Sequence, residues 1–196
     1  MLYKDILTKE QHTTLYNLIT GLDFPWYYQP NIAYIVDLTA KVDPTLCRSF
    51  GLTHTIWDIE KGKVSEVLSH MGILADNFTK LSGVKPNNFI RIKINLQTPV
   101  VNNNPSKYNG AHVDRYTPHS TLVYYLNDSD GDTFIFNEVF DETDSKTWPQ
   151  NVIPTVKERI TPVSNSLYHF DTGLRYHSSS NPITTDRRYT INFNFN

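Results

Sequence analysis

One cysteine, Cys47, is all this chain of 196 residues contains, so no disulfide can form within it. With a single thiol and no signal-like amino terminus, a reducing cytoplasm is the expected setting. Charge of neither sign dominates; the formal net charge is −2. No strong field therefore favours nucleic acid or an anionic membrane surface as a partner. No apolar run is long enough to span a bilayer. Internal repeats and interdomain linkers are also lacking, which leaves one domain over residues 1–196.

What is present suits a sheet-rich domain. Hydrophobic residues make up 39% of the chain, enough for a substantial core. Aromatic residues make up 13%, with 12 Tyr and 10 Phe, which favours strands over a helical bundle.

The first segment, Thr8-Lys9-Glu10-Gln11, resembles a capping box and predicts a helix over about 8–20, stopped near Gly21. An aromatic stretch, Phe24 to Tyr28, precedes a predicted strand near Tyr34–Leu38. Val64, Val67, Leu68, Met71, Leu74, Phe78 and Leu81 recur at helical steps and predict an amphipathic helix ending near Gly83. The period then changes to two, with Ile90, Ile92, Ile94 and Leu96 alternating with Arg91, Lys93, Asn95 and Gln97. Further strands are predicted at Ser120–Leu126, Asp132–Asn137, Val156–Ile160, Ser166–Phe170 and Arg188–Phe195, separated by turn-like clusters. Helices followed by many short strands indicate an α+β chain built on a sandwich or barrel.

Two strands have a polar face. Arg188, Thr190, Asn192 and Asn194 alternate with Tyr189, Ile191, Phe193 and Phe195, and the strand from Ile90 repeats the split. That face either meets water or lines a pocket while helices cover the apolar side.

A candidate metal set favours the pocket. His112 and Asp114 stand two apart, so on a strand both project to one side. His177 follows at a distance that leaves room for intervening strands. Two imidazoles and one carboxylate suit the facial set of non-haem Fe(II) oxygenases, which keeps positions open for small ligands. Arg188 adds a fixed cation of the kind a dicarboxylate would need. A second such tripeptide, His169-Phe170-Asp171, has only His177 after it, too close to serve. His12, His54 and His70 read as structural or solvated. His119 is a minor candidate for substrate contact.

With these residues in order, the chain resembles the 2-oxoglutarate- and Fe(II)-dependent oxygenases, most closely the prolyl-4-hydroxylase-like branch with its phage and marine-bacterial relatives. The resemblance covers about residues 88–196. It rests on Arg91–Leu96, His112-Val113-Asp114, Val123–Asn127, Asp130-Gly131-Asp132-Thr133, His177 and Arg188–Ile191. It implies a double-stranded β-helix (a cupin-like jelly roll) over about 88–196, supported by a helical region over about 1–85 and its helices packed on one sheet.

The resemblance further implies that His112, Asp114 and His177 ligate Fe(II), and that Arg188, Thr190 and Tyr125 bind 2-oxoglutarate. O₂ is then the oxidant and ascorbate an accessory reductant. Tyr124 and Arg187 point away from these partners. Where the family has Gly-Gly-x-Thr this chain has Asp130-Gly131-Asp132-Thr133, which puts the loop's path in question. Asn95 and Tyr108 are both open as holders of the 1-carboxylate.

The implied activity is hydroxylation, of a prolyl residue in a peptide or protein or else of a free amino acid or small metabolite. Segments 100–109 and 138–154 are candidate lids. Three other readings compete. An AlkB-like nucleic-acid dealkylase would carry an arginine where this chain has Asn194. A metal-dependent hydrolase would not need Arg188-x-Thr190. A non-catalytic jelly-roll binding module would not need the intact triad.

Overall fold

A computed structural model describes residues 1–30, 50–100, 108–140, 154–170 and 173–196. The strand expected near Tyr34–Leu38 lies outside them, as do most of the two candidate lid segments.

The first helix begins as its sequence demands. Helix α1 (Lys9–Thr20) is capped by Thr8, whose hydroxyl accepts from the Gln11 N–H while the Gln11 side chain accepts from the Thr8 N–H. This reciprocal pair satisfies two N–H groups that an open helix end leaves bare. The second helix, α2 (Leu68–Ser82), starts later than the periodicity predicts, because Val64 is still tied to Ile56 by backbone hydrogen bonding. It ends at Gly83, whose φ of 75° is the left-handed conformation that glycine adopts without strain.

The strands are β1 (Leu2–Lys4), β2 (Tyr27–Gln29), β3 (Gly51–Asp58), β4 (Gly62–Lys63), β5 (Phe89–Gln97), β6 (Ser120–Tyr125), β7 (Thr133–Val139), β8 (Val156–Ile160), β9 (Ser166–Phe170), β10 (Arg175–Ser179) and β11 (Arg188–Phe195). They form two antiparallel sheets. The larger runs β1-β9-β6-β11-β5-β3-β2, with β4 paired to β3, and the smaller runs β10-β7-β8. Four of these strands lie within the first 63 residues. The amino-terminal part is therefore not only the expected helical support; β3 extends the large sheet beside β5.

The apolar side of the large sheet carries the main core. Ile92, Ile94, Tyr189, Ile191 and Phe193 pack there with Leu15 and Ile19 of α1 and Met71, Leu74 and Phe78 of α2. Each such side chain contributes about 1.5–3 kcal/mol on burial. A one-residue slip of β5 or β11 would reverse every side chain and place Lys93 or Arg188 in this core, so the register is firmly set. On the opposite side, Val123, Tyr125, Tyr168 and Phe170 of the large sheet pack against Ile135 and Ile160 of the small sheet. A third cluster, with Val113, Phe134, Phe136 and Tyr176, closes the far face of the small sheet. Among the described residues, no helix is long and apolar enough to cross a membrane.

Candidate metal centre

The polar faces of β5 and β11 form the floor of a cavity of about 250 Å³ between the two sheets. Register lays that floor out in rows. Gln97 pairs with Arg188, Asn95 with Thr190, Lys93 with Asn192 and Arg91 with Asn194. Thr53, Thr55 and Asp58 of β3 extend the last three rows. The pocket reading of the polar faces holds, and the apolar faces are covered by the helices.

His112, Asp114 and His177 meet over this floor, with one ligand atom from each lying within 4.8 Å of the others. His112 belongs to no long strand. It forms an isolated bridge with His177, each backbone N–H donating to the other's carbonyl at 2.9 Å. Val113 turns into the aromatic cluster behind, and its neighbours are left facing the cavity. That anchors an H-x-D turn as firmly as the strand expected there.

Backbone carbonyls orient both imidazoles. Nδ1 of His112 lies 3.0 Å from the Gly110 oxygen, and Nδ1 of His177 lies 3.2 Å from the Arg175 oxygen. Carbonyls only accept, so each Nδ1 carries a proton and each Nε2 is the ring nitrogen left to face the cavity. Burial, with His177 close by, lowers the pKa of His112 to about 4. It is therefore neutral at physiological pH.

Asp114 is held from two sides. Nη2 of Arg91 donates to Oδ1 at 2.7 Å, and Nδ2 of Asn194 donates to Oδ2 at 2.9 Å. Burial alone would raise its pKa. The Arg91 guanidinium, the two imidazoles and the Asn194 amide outweigh that and hold the carboxyl far below its usual range. The donor set of two imidazoles and one ionised carboxylate fits a divalent transition metal, ferrous iron included.

Arg188 lies at the other end of the floor. Its Nε donates to the Gly131 carbonyl, Nη1 to Oε1 of Gln97 and Nη2 to the Thr133 hydroxyl, each at 2.7 Å. All three acceptors are neutral. No carboxylate forms an ion pair with Arg188 among the described residues, although the residue is only 4% exposed. A buried cation without a counterion is expensive. Three bonds use three of a guanidinium's five N–H groups, so two remain for a ligand. Tyr125 joins the same group; its hydroxyl donates to Thr133 at 2.9 Å, and its ring lies 5.9 Å from the guanidinium carbon. Thr190 occupies the next row, 3.5 Å from the Asn95 amide.

Solved structures share this architecture. The non-haem alpha-ketoglutarate-dependent epimerase SnoN of nogalamycin biosynthesis superposes with a TM-score of 0.60 at 12% identity, over 100% of this chain and 77% of its own. The chain has the fold of 2-oxoglutarate-dependent enzymes. A Trichoplax adhaerens prolyl hydroxylase, solved with a hypoxia-inducible-factor peptide, gives 0.55 at 13% identity, over 100% and 82% of the two chains. The viral collagen prolyl hydroxylase of Paramecium bursaria Chlorella virus-1, in its 2-oxoglutarate complex, gives 0.50 at 13%, over 99% and 93%. No known protein family and no curated protein matches the sequence.

The Asp130-Gly131-Asp132-Thr133 segment has a physical account. The Asp130 carboxylate accepts from the backbone N–H groups of Ile183, Thr184 and Thr185 and from both threonine hydroxyls. It thereby ties down the turn that leads into Arg188. Gly131 is needed for space, since a Cβ there would lie 2.8 Å from the Ser180 oxygen and 2.9 Å from Cδ of Arg188. Asp132 forms an ion pair with Arg159.

Arg91, Gln97, Thr133 and Asn194 shape the site; strand parity placed Arg91, Gln97 and Asn194 on the polar faces read as pocket lining, but the sequence assigned none of the four a specific partner. The remaining histidines stay out of the cavity. His12 lies within hydrogen-bonding distance of the Tyr124 and Ser164 hydroxyls, and His54 of the Pro25 carbonyl and the Ser65 hydroxyl. His119 faces Gly173 instead of the cavity floor. Tyr108 packs in the aromatic cluster behind Phe134 and Phe136, whereas Asn95 lines the cavity. Arg187 is exposed, as expected.

Proposed function

We propose that this protein is an Fe(II)- and 2-oxoglutarate-dependent dioxygenase on a double-stranded β-helix, which hydroxylates a prolyl residue in a peptide or protein. One observation carries the reading. A buried guanidinium with no ion-pair partner among the described residues shares a cavity with two imidazoles and an ionised carboxylate. A metal ion answers one end and a carboxylate answers the other. A diacid able to chelate the metal joins the two.

His112, Asp114 and His177 would hold the iron, and iron with 2-oxoglutarate supplies oxygen activation coupled to decarboxylation. The residues themselves supply geometry and charge. Arg91 and Asn194 fix the Asp114 carboxylate, so that the acid needs no reorganisation to ligate. The carbonyls of Gly110 and Arg175 hold the imidazoles in the ligating tautomer. Arg188 would take the distal carboxylate of the co-substrate through its two spare N–H groups. Thr133, whose hydroxyl oxygen already accepts from Arg188 and Tyr125, keeps a proton to donate alongside. Thr190 and Tyr125 complete that end. The prolyl assignment is supported by the likeness to two prolyl hydroxylases. A nucleic-acid dealkylase is disfavoured, because the position its second arginine would occupy is Asn194, already committed to Asp114.

The test is succinate release with Fe(II), 2-oxoglutarate and ascorbate, screened against proline peptides, free amino acids and single-stranded DNA. Stimulation by proline peptides is expected. Protein that binds neither Fe(II) nor 2-oxoglutarate in equilibrium titration would refute the proposal.

A further inference from the structure

We infer that Lys93 receives a carboxylate of the substrate, so that the molecule oxidised carries an acidic group close to its reacting carbon. This rests on the oxygenase reading and goes further, to the chemical class of substrate.

Lys93 stands mid-floor in the cavity that holds the triad, with Thr55 of β3 and Asn192 of β11 as its partners in register. The other cations of the floor are engaged. Arg91 is paired with Asp114, and Arg188 is bonded to Gly131, Gln97 and Thr133. Lys93 has neither a hydrogen bond nor an ion pair among the described residues, and it is half-buried. Asp114 acts on it as a nearby charge, without a hydrogen bond, while its carboxylate oxygens accept from Arg91 and Asn194. Beside Lys93, Oδ1 of Asn192 is buried and has no partner either. Among the described residues, one row thus presents an ammonium without a hydrogen bond next to an amide oxygen without one. Burying an ammonium is costly unless an anion meets it.

Position argues that this anion is not the one Arg188 would hold. The rows of Lys93 and Gln97 are four residues apart, roughly 13 Å at strand rise. The Arg91 row, which positions the metal-binding carboxylate, is only two residues away, roughly 7 Å. Lys93 therefore lies beside the metal end, where the carbon to be oxidised must sit. A carboxylate on Lys93, with an adjacent N–H on Asn192, would fix a substrate at that end. Free proline meets this requirement, as does a prolyl peptide with an acidic neighbour.

The experiment compares matched acids and amides in the succinate-release assay. L-proline is paired with L-prolinamide, and proline peptides with Asp beside the proline are paired with their Asn counterparts. In at least one pair the acid is expected to give tenfold or higher kcat/KM than the amide. Lys93→Met should abolish that preference, and Lys93→Arg should retain it. Titration of each variant with 2-oxoglutarate gives the separate readout. Equal turnover of acids and amides by the unaltered protein would overturn the inference. So would a Lys93→Met variant whose 2-oxoglutarate affinity falls as far as its kcat/KM, which would assign Lys93 to the co-substrate. Loss of 2-oxoglutarate binding by the unaltered protein would instead sink the oxygenase reading itself.

Discussion

Replacing Arg188 with methionine removes a charge while keeping most of the side chain's volume. The structure contains two opposing consequences for folding. Three hydrogen bonds from a charged donor are lost, at about 1.5–3 kcal/mol each. Against this, a guanidinium with no ion-pair partner among the described residues no longer has to be buried, a relief of several kcal/mol. The two effects are of similar size, so stability is expected to change by no more than about 2 kcal/mol. Binding of 2-oxoglutarate has no such compensation. Two charge-assisted bonds to its distal carboxylate disappear, at about 1.5–3 kcal/mol each. Affinity should fall by roughly 10²–10⁴-fold, at about 1.4 kcal/mol for each factor of ten. Isothermal titration of the metal-loaded protein under argon measures the affinity, and denaturant unfolding without co-substrate measures the stability. A variant that binds 2-oxoglutarate within threefold of the original would show that Arg188 does not hold it. A variant that unfolds outright would show that the three internal bonds matter more than charge burial.

Three other outcomes are expected. Asp114→Ala should lower Fe(II) affinity by 10²-fold or more and abolish succinate release; equilibrium metal titration unchanged by the substitution would remove Asp114 from the ligand set. Asp130→Ala should destabilise the fold by about 1–3 kcal/mol through the loosened turn at 183–185. Because the Asp130 carboxyl is held below its usual range by those donors, its stabilisation is present above about pH 4 and is lost as the pH falls further. Unfolding curves at pH 7 and pH 3 should therefore differ less in the variant than in the original. Gly131→Ala should weaken 2-oxoglutarate binding about tenfold or more by displacing Arg188, which its Cβ would approach to 2.9 Å; unaltered binding would mean that the loop yields freely.

Much of this was legible in the chain itself. Thr8 and Gln11 made the first helix readable, since a capping box is local chemistry. The alternation from Ile90 to Gln97 and from Arg188 to Phe195 fixed two strands and their faces, because side-chain parity is local as well. Strand β3 escaped notice. Its core-facing side carries His54, buried and satisfied by Pro25 and Ser65, and those partners are distant in sequence.

The candidate metal ligands were legible as a set through spacing, because only the first of the two H-x-D tripeptides leaves room for strands before His177. What surrounds them was not. Whether Arg91 pairs with water or with Asp114, and whether Asn194 idles or supports that carboxylate, depends on which segments fold over β5 and β11. The sequence by itself determined which residues share a face, since that follows from the pleat of a single strand. Only the tertiary structure decided which of those faces meet, because a buried charge takes its partner from whatever the other sheet brings within hydrogen-bonding reach.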